Sequence, residues 1–174
     1  MRTKDRPTVL PGLEDLFYKR RTDDAERVAD ILHIPENEVY DAKARAKSRQ
    51  INEVAMAIGE RNLDKAIAKM YEHELRSCEV RRSVIREMHR IMDVDGAYIA
   101  AGAAYLFELL DEDIASFEDE AVDVIGACVK MHRLDDAAIV AVAFRVPKER
   151  LEQFGLELER FMQERANRWT DWRK

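Results

Sequence analysis

Four histidines, two cysteines and many carboxylates are the side chains of this sequence that could bind a metal or transfer a proton. A carboxylate-bridged metal site in a helical bundle uses a glutamate three residues before a histidine on facing helices. The nearest spacings here are Asp30 before His33, which lacks the glutamate, and Glu87 with His89, which are two apart. We therefore predict no metal ion and no cofactor.

Other sequence patterns that carry chemistry are incomplete. The stretch MDVDG at residues 92–96 begins like a calcium loop, but its glycine comes too early and Ala104 stands where the twelfth-position glutamate belongs. The sequence offers no zinc spacing, no glycine-rich phosphate loop and no Ser/His/Asp arrangement. We therefore predict a non-enzymatic protein with no catalytic residues.

One pair of residues leaves a chemical alternative open. Arg82 and His89 are seven apart, so they share one face of a helix. Their spacing resembles the R-x6-H variant of the signature of the HEPN family of helical ribonucleases, and the resemblance implies action on RNA phosphate. The polar residues that usually accompany this signature are absent.

The elements of the chain are organised around a stretch that occurs twice, at residues 23–40 and 135–152. The copies read DDAERVADILHIPENEVY and DDAAIVAVAFRVPKERLE, with identical aspartates, alanines, valine and proline at matching positions. Pro35 and Pro147 fit the first turn of a helix, and the residue before a proline is pushed out of the helical region. Each copy therefore predicts a short helix, a tight break and a second helix.

Both copies resemble the helix-turn-helix of DNA-binding proteins. That family has a small residue in the first helix, apolar residues flanking the turn and an aliphatic residue in the second helix. Those places are taken by Ala29, Leu32, Ile34 and Val39 in copy one, and by Ala141, Phe144, Val146 and Leu151 in copy two. The family commonly has glycine in the turn, whereas this chain has His33 and Arg145, so a non-glycine residue must adopt positive φ or the turn must differ. A plain α-hairpin whose prolines start helices explains the same pattern.

The resemblance implies that DNA is the partner, and cations that meet the phosphate backbone supply most non-specific DNA affinity. The candidate nucleic-acid-binding residues are Arg2, Lys4, Lys19, Arg20, Arg21, Lys43, Lys47, Arg76, Arg82, Arg86, Arg90, Lys148 and Arg150. In copy one the second helix starts with Glu36, Asn37 and Glu38, whose carboxylates would face phosphates, so copy two is predicted to be better placed.

The basic residues also have a structural interpretation. Lys43, Arg45, Lys47 and Arg49 alternate along a helix, so they form a positive girdle and cannot share one face. One long amphipathic helix is predicted over residues 63–92, and its interleaved glutamates could pair with its cations at i, i+4.

Composition and length favour an all-α fold. Hydrophobic residues make up 47% of the 174 residues and charged residues 37%, with only 6 Gly and 4 Pro. We predict a multi-helix bundle with two helix-turn-helix-like hairpins related by an internal repeat. Residues 1–11 are predicted as an extended basic arm and 12–174 as a single all-α domain, with possible sub-units 12–60 and 61–174. The small, apolar stretch at residues 97–110 is predicted as the central core helix.

The ends of the copies and of the chain carry further predictions. The second helix is predicted to continue to Gly59 in copy one, and through Phe154 and Leu158 in copy two. Beyond it, Trp169 and Trp172 are three apart on one helical face. They would either close the core or anchor a partner subunit. The second alternative predicts a homo-oligomer.

Net charge, the length of the apolar stretches and the cysteine content predict the compartment of the protein. The formal charge is −6, no signal-peptide run is present, and the longest apolar stretch is too short to cross a bilayer. Cys78 and Cys128 are predicted to be buried thiols in a reducing compartment. We expect a cytoplasmic or virion protein with no membrane partner.

These observations lead to two hypotheses of different classes. The first is a non-enzymatic, nucleic-acid-associated protein that binds duplex DNA through the helix-turn-helix elements and the basic helix face. The alternative is a structural assembly subunit, such as a viral coat, packaging or filament protein, in which the same helices make subunit contacts.

Overall fold

A computed structural model describes residues 6–155, together with residues 158 and 160. The predicted all-α class is confirmed, since the described residues form helices and no strand. The helices are α1 (Arg6–Tyr18), α2 (Thr22–Ile31), α3 (Glu36–Gly59), α4 (Leu63–Glu72), α5 (Ser77–Ile91), α6 (Ala97–Leu106), α7 (Asp111–Ala115), α8 (Glu118–Lys130), α9 (Leu134–Ala143) and α10 (Lys148–Leu151), followed by a 3-10 turn at Glu152–Phe154. The predictions for Arg2, Lys4, Trp169 and Trp172 lie outside the described residues.

The start of α1 differs from the extended arm expected over residues 1–11. The helix begins at Arg6 and contains Pro11. Pro7 stands in the first turn, where a backbone N–H has no intrahelical partner anyway, so only the hydrogen bond at Pro11 is lost. Burial of Leu13 and Phe17 offsets that loss.

Two hydrophobic cores hold the helices together. The smaller core joins α1, α2 and the first half of α3 through Leu13, Phe17, Ala25, Ala29, Ala42 and Ala46. The larger core begins with Val54 and Ile58 in the second half of α3 and contains the buried faces of α4 to α10. Helix α3 therefore belongs to both cores.

Helix α6 fills only part of the role predicted for residues 97–110. Its five alanines at 97, 100, 101, 103 and 104 are buried in the larger core. Tyr98 and Tyr105 on the same helix are 63% and 62% exposed. The helix is therefore a core element with one open face.

The single long helix predicted over residues 63–92 is wrong, because the chain breaks between α4 and α5. Glu74 adopts φ 50°, and the Leu75 amide donates back to the Met70 carbonyl at 2.9 Å. Buried His73 and Leu75 hold this turn in the fold, and the Glu79 carboxylate accepts from the Arg76 amide to start α5. Neither glycine nor proline marks this break in the sequence.

One turn geometry recurs at four helix pairs, α2–α3, α4–α5, α6–α7 and α9–α10. In each, the second residue after the end of a ten-residue helix is a non-glycine residue with positive φ: His33 at 51°, Glu74 at 50°, Glu108 at 50° and Arg145 at 49°. The next residue is apolar, and its amide donates to the carbonyl five residues earlier, as in a Schellman cap. The residue after it is extended, with ψ from 141° to 159°, and starts the next helix.

The two predicted turns therefore share a backbone with two turns that the sequence did not single out. Pro35 (φ −56°, ψ 141°) and Pro147 (φ −59°, ψ 144°) occupy equivalent places. Helix-turn-helix proteins commonly have glycine in the turn, and here His33 and Arg145 adopt positive φ in its place. The internal repeat and the helix-turn-helix function stay predictions.

Copy two does not continue as the sequence pattern predicted. Helix α10 ends at Leu151, and after the 3-10 turn Gly155 takes φ 90°, a conformation that glycine adopts without steric cost. The prediction of a continuous second helix through Phe154 and Leu158 is wrong. Buried Leu158 returns to the larger core.

Two smaller observations complete the fold. Cys128 is buried as predicted, but Cys78 is exposed, because it lies in the first turn of α5 on the side away from the core. Within the described part of the chain, no helix is long and apolar enough to cross a membrane.

Candidate nucleic-acid interface

Most of the cations predicted to contact phosphate are paired with carboxylates. The pairs are Lys19 with Asp15 at 2.6 Å, Arg20 with Glu74, Arg21 with Asp24 at 2.7 Å, Lys47 with Glu79 at 2.9 Å, Arg76 with Glu79 at 3.7 Å, Arg86 with Glu87 at 3.8 Å and Arg90 with Glu87 at 2.7 Å. Exposed pairs of this kind contribute little stability. Each carboxylate nevertheless cancels a charge that would attract a phosphate.

Three of the predicted cations are placed differently. Lys43 lies with its ammonium 5.9 Å from the centroid of the Phe17 ring. Arg82 is exposed on α5 and forms no salt bridge with any residue in the described part of the chain. Lys148 is exposed at the first position of α10.

The first turn of α3, the counterpart of a recognition helix in copy one, is acidic. Glu36 and Glu38 lie in it, and Glu36 and Asn37 are exposed. In helix-turn-helix complexes the first residues of this helix contact base edges. In such a complex the carboxylates of Glu36 and Glu38 would lie in the groove between the phosphate backbones, where like charges repel.

In copy two the recognition-helix counterpart is short. Four residues of α10 span about 6 Å at 1.5 Å per residue, roughly half the width of a major groove. Arg150 donates to Glu118 at 3.1 Å and to Asp119 at 2.9 Å, both at the start of α8. Copy two therefore offers less helix and less free charge than its sequence predicted.

A different face of α3 brings polar donors together. An open groove on the surface is lined by Arg45, Ser48, Arg49, Asn52, Glu53 and Met56. Steps of three and four residues place all six on one side of the helix. This face, which we call the α3 groove, presents guanidinium, hydroxyl and amide groups side by side.

The two arginines of the α3 groove have different partners. Arg45 donates to Glu14 of α1 at 3.0 Å. The Arg49 guanidinium lies 4.1 Å from the centroid of the Tyr18 ring, in a cation–π contact. Within the described part of the chain no carboxylate pairs with Arg49, so its positive charge is available at the surface.

A hydrogen-bonded network lies beside the α3 groove and joins α1, α3 and α4. The Tyr18 hydroxyl donates to Glu53, which also meets His73 Nε2 at 3.1 Å and Lys69 Nζ at 3.4 Å. The Gln50 amide donates to the Tyr18 carbonyl at 2.9 Å. These contacts fix the Tyr18 ring on which Arg49 rests.

The network sets the charges of its members. Burial raises the pKa of the Glu53 carboxyl, but hydrogen bonds from Tyr18, His73 and Lys69 lower it by more, so the net pKa is below its ordinary value of 4.5. The hydrogen bond to Glu53 raises the pKa of the Tyr18 hydroxyl. At neutral pH the site therefore holds a carboxylate and an un-ionised phenol.

Sequence reasoning missed Ser48 and Asn52 and placed Arg45 and Arg49 only in the girdle. The girdle itself is as expected, since its four cations reach four different partners. The polar spacing i, i+3, i+4, i+7 from Arg45 to Asn52 is the sequence signal that could have identified the groove. The Arg82 and His89 pair is not brought together by a mutual hydrogen bond, because His89 binds Glu120 at 2.7 Å.

Comparison with known proteins adds no relative: no protein-family model matches the chain, and neither a curated protein nor a solved structure resembles it significantly.

Proposed function

We propose that this protein binds nucleic acid without reacting with it and holds the phosphate backbone in the α3 groove. The observation that supports the proposal is the shared face of Arg45, Ser48, Arg49 and Asn52. Guanidinium, hydroxyl and amide groups are the side chains that make most phosphate contacts in protein–DNA complexes. Duplex DNA remains the partner we propose.

The charge of the groove limits the affinity. Among the described residues only Arg49 of the groove lacks a carboxylate partner, because Arg45 is paired with Glu14, and Glu53 and a net charge of −6 also oppose binding. One phosphate contact gives a slope of about −0.9 for log K against log salt. We therefore expect weak, salt-dependent binding without strong base preference.

An anisotropy titration with a fluorescent DNA duplex at 50 and 200 mM salt tests this proposal. Arg49→Ala should weaken binding about tenfold, because a charge-assisted hydrogen bond is lost. Arg82→Ala is the matched control, since it removes an exposed arginine of α5 that does not line the groove. Equal losses in the two variants, or no binding by the wild type, would reject the groove as the interface.

A subunit of a homo-oligomeric assembly is the second candidate, supported by large apolar side chains left at the surface. They are Ile31, Tyr40, Met56, Tyr71, Tyr98, Tyr105 and Met131, each at least 57% exposed. Tyr98 and Tyr105 are seven residues apart and share one face of α6, and an exposed apolar face is typical of an interaction site. Light scattering during size-exclusion chromatography should then give a multiple of 20.2 kDa, and a monomer at every concentration would exclude this candidate.

A further inference from the structure

A histidine of α5 forms a line with a serine and a glutamate, four residues apart in the chain, at the junction of α5, α7 and α8. Ser116 Oγ lies 3.5 Å from His89 Nε2. On the other side of the ring, His89 Nδ1 lies 2.7 Å from one Glu120 oxygen and 3.0 Å from the other. Each ring nitrogen therefore has one partner, a hydroxyl on one side and a carboxylate on the other.

The surrounding packing holds the imidazole in place. Phe117, fully buried, stacks on the His89 ring with centroids 3.9 Å apart and planes 16° apart. Phe117 in turn packs on Phe144 in the larger core. Ser116 is exposed and the His89 side chain is 34% exposed, so the outer side of the line is open to solvent.

The carboxylate decides which nitrogen carries the proton. Glu120 accepts from Nδ1–H, which leaves Nε2 with a free lone pair toward Ser116. This is the arrangement in which a histidine can accept a hydroxyl proton while a carboxylate orients it. The Ser116 hydroxyl also lies 2.6 Å from the Asp113 carbonyl oxygen. Rotation about the Cβ–Oγ bond moves its hydrogen from that carbonyl to Nε2.

We propose that Ser116, His89 and Glu120 form a hydrolytic site for small carboxylic esters. Ser116 Oγ bonds to the ester carbonyl carbon as its proton passes to His89 Nε2. The carbon–oxygen bond to the alcohol then breaks, and the alcohol leaves with that proton. Water repeats the cycle on the acyl-serine, with His89 as base, and releases the carboxylic acid and the free serine. Glu120 is a positioning residue.

The charges around the line select the ester. Asp113, Glu118 and Asp119 lie in the same segment as Glu120. Arg150 pairs with Glu118 and Asp119, and Arg81 lies 3.9 Å from Asp113, so two cations offset only part of the charge of four carboxylates. A substrate with a carboxylate would be repelled, so neutral and cationic esters are preferred. Because Ser116 lies on an open surface, the carbonyl carbon of a small ester can reach it. The first amides of α8, which begin two residues after the serine at Glu118, lack intrahelical acceptors.

Hydrolysis of 4-nitrophenyl acetate and mass-spectrometric mapping of a fluorophosphonate label test the site. Wild-type protein should turn over the ester and carry the label on Ser116. Ser116→Ala should remove the label and lower kcat/KM by roughly 100-fold, and His89→Gln should lower it similarly. Ser83→Ala on α5 is the control and should leave both unchanged. A label elsewhere, or an unchanged rate in Ser116→Ala, would overturn the proposal.

Two further measurements distinguish chemistry from folding. Glu120→Gln should lower kcat with little change in KM, and Glu120→Asp should recover part of kcat, because a carboxylate is restored. Circular dichroism melting of each variant shows whether the fold is kept, and a loss of rate that follows unfolding would count against the site. An acetate ester of a quaternary ammonium alcohol should react faster than one carrying a carboxylate, and the reverse order would contradict the assigned substrate class.

Discussion

Glu53 shows how one carboxylate can join three helices. It accepts from Tyr18 of α1 and contacts Lys69 of α4 and His73 just beyond it, while its own backbone lies in α3. His73 is almost completely buried, so the carboxylate satisfies a polar atom that would otherwise be costly. The sequence contains these residues at separations of 35 and 20, which no local pattern connects.

Removal of the Tyr18 hydroxyl should cost about 1 kcal/mol of unfolding free energy at pH 7, because one hydrogen bond to Glu53 is lost. The raised pKa of Tyr18 means that its contribution is present below pH 10.0 and is lost as pH rises through the folded-state pKa. The lowered pKa of Glu53 means that its contribution is present above pH 4.5 and is lost as pH falls.

Urea unfolding of Tyr18→Phe at pH 7 and pH 11 checks the contribution of the Tyr18 hydroxyl and its loss at high pH. The variant should be less stable at pH 7 and should lose less stability than the wild type on going to pH 11. Tyr40→Phe is the matched control, since Tyr40 is 72% exposed. An equal effect of the two substitutions would refute the role assigned to the network.

Two glycines should respond in opposite directions to alanine. A Cβ at Gly96 would lie 2.0 Å from the Ile91 carbonyl oxygen, a backbone atom that cannot move aside. Gly96→Ala should therefore destabilise the fold by roughly 1–3 kcal/mol. Gly12 lies in α1 with nothing within 4 Å, so Gly12→Ala should stabilise by about 1 kcal/mol through helix propensity. Urea midpoints that move in the same direction would contradict this explanation.

At the scale of elements, the four recurring turns were partly visible in the sequence. Eight residues before each positive-φ residue stands a fully buried alanine: Ala25, Ala66, Ala100 and Ala137. Six residues after it comes an aliphatic residue: Val39, Val80, Ile114 and Leu151. Pro35 and Pro147 made two of these turns predictable from the sequence. The turns at Glu74 and Glu108 lack proline and glycine, so tertiary packing alone distinguishes them from continuous helix.

The positive-φ caps predict where glycine stabilises. His132 is exposed with φ 57°, a left-handed conformation that costs a residue with Cβ about 1–2 kcal/mol. His132→Gly should raise the unfolding free energy by about 0.5–1 kcal/mol. The neighbouring Met131 is also exposed but has φ −90°, so Met131→Gly should lower it by a similar amount. Thermal melting of the pair checks the sign, and a loss in His132→Gly would show that the cap is not strained.

At the scale of the whole molecule, salt bridges determine which of the many charged residues are neutralised. The sequence correctly indicated a helical protein rich in charged residues, but it did not show which cations are neutralised. Arg20 and Glu74, for example, are 54 residues apart and meet only because α1 packs beside the α4–α5 turn. The line formed by Ser116, His89 and Glu120 likewise depends on tertiary placement, because His89 lies 27 and 31 residues from the other two.

The two cores should differ in local stability. Four of the six residues in the smaller core are alanines, so burial there removes little apolar surface from water. We expect amides of α2 to exchange with solvent faster than those of α9, whose central residues are buried in the larger core. Native-state hydrogen exchange followed by mass spectrometry measures this difference. Equal protection of the two helices would show that the cores open together.

Because α3 contributes Ala42 to one core and Val54 to the other, a cut at residue 60 would separate the larger core from one of its helices. A gene split at residue 60 would give an upstream fragment in which Val54 and Ile58 are exposed to water. The downstream fragment would lack the part of α3 that covers the larger core. Neither fragment should accumulate in a cell when expressed alone. Together they could reassemble only by rebuilding the contacts between the second half of α3 and the rest of the larger core.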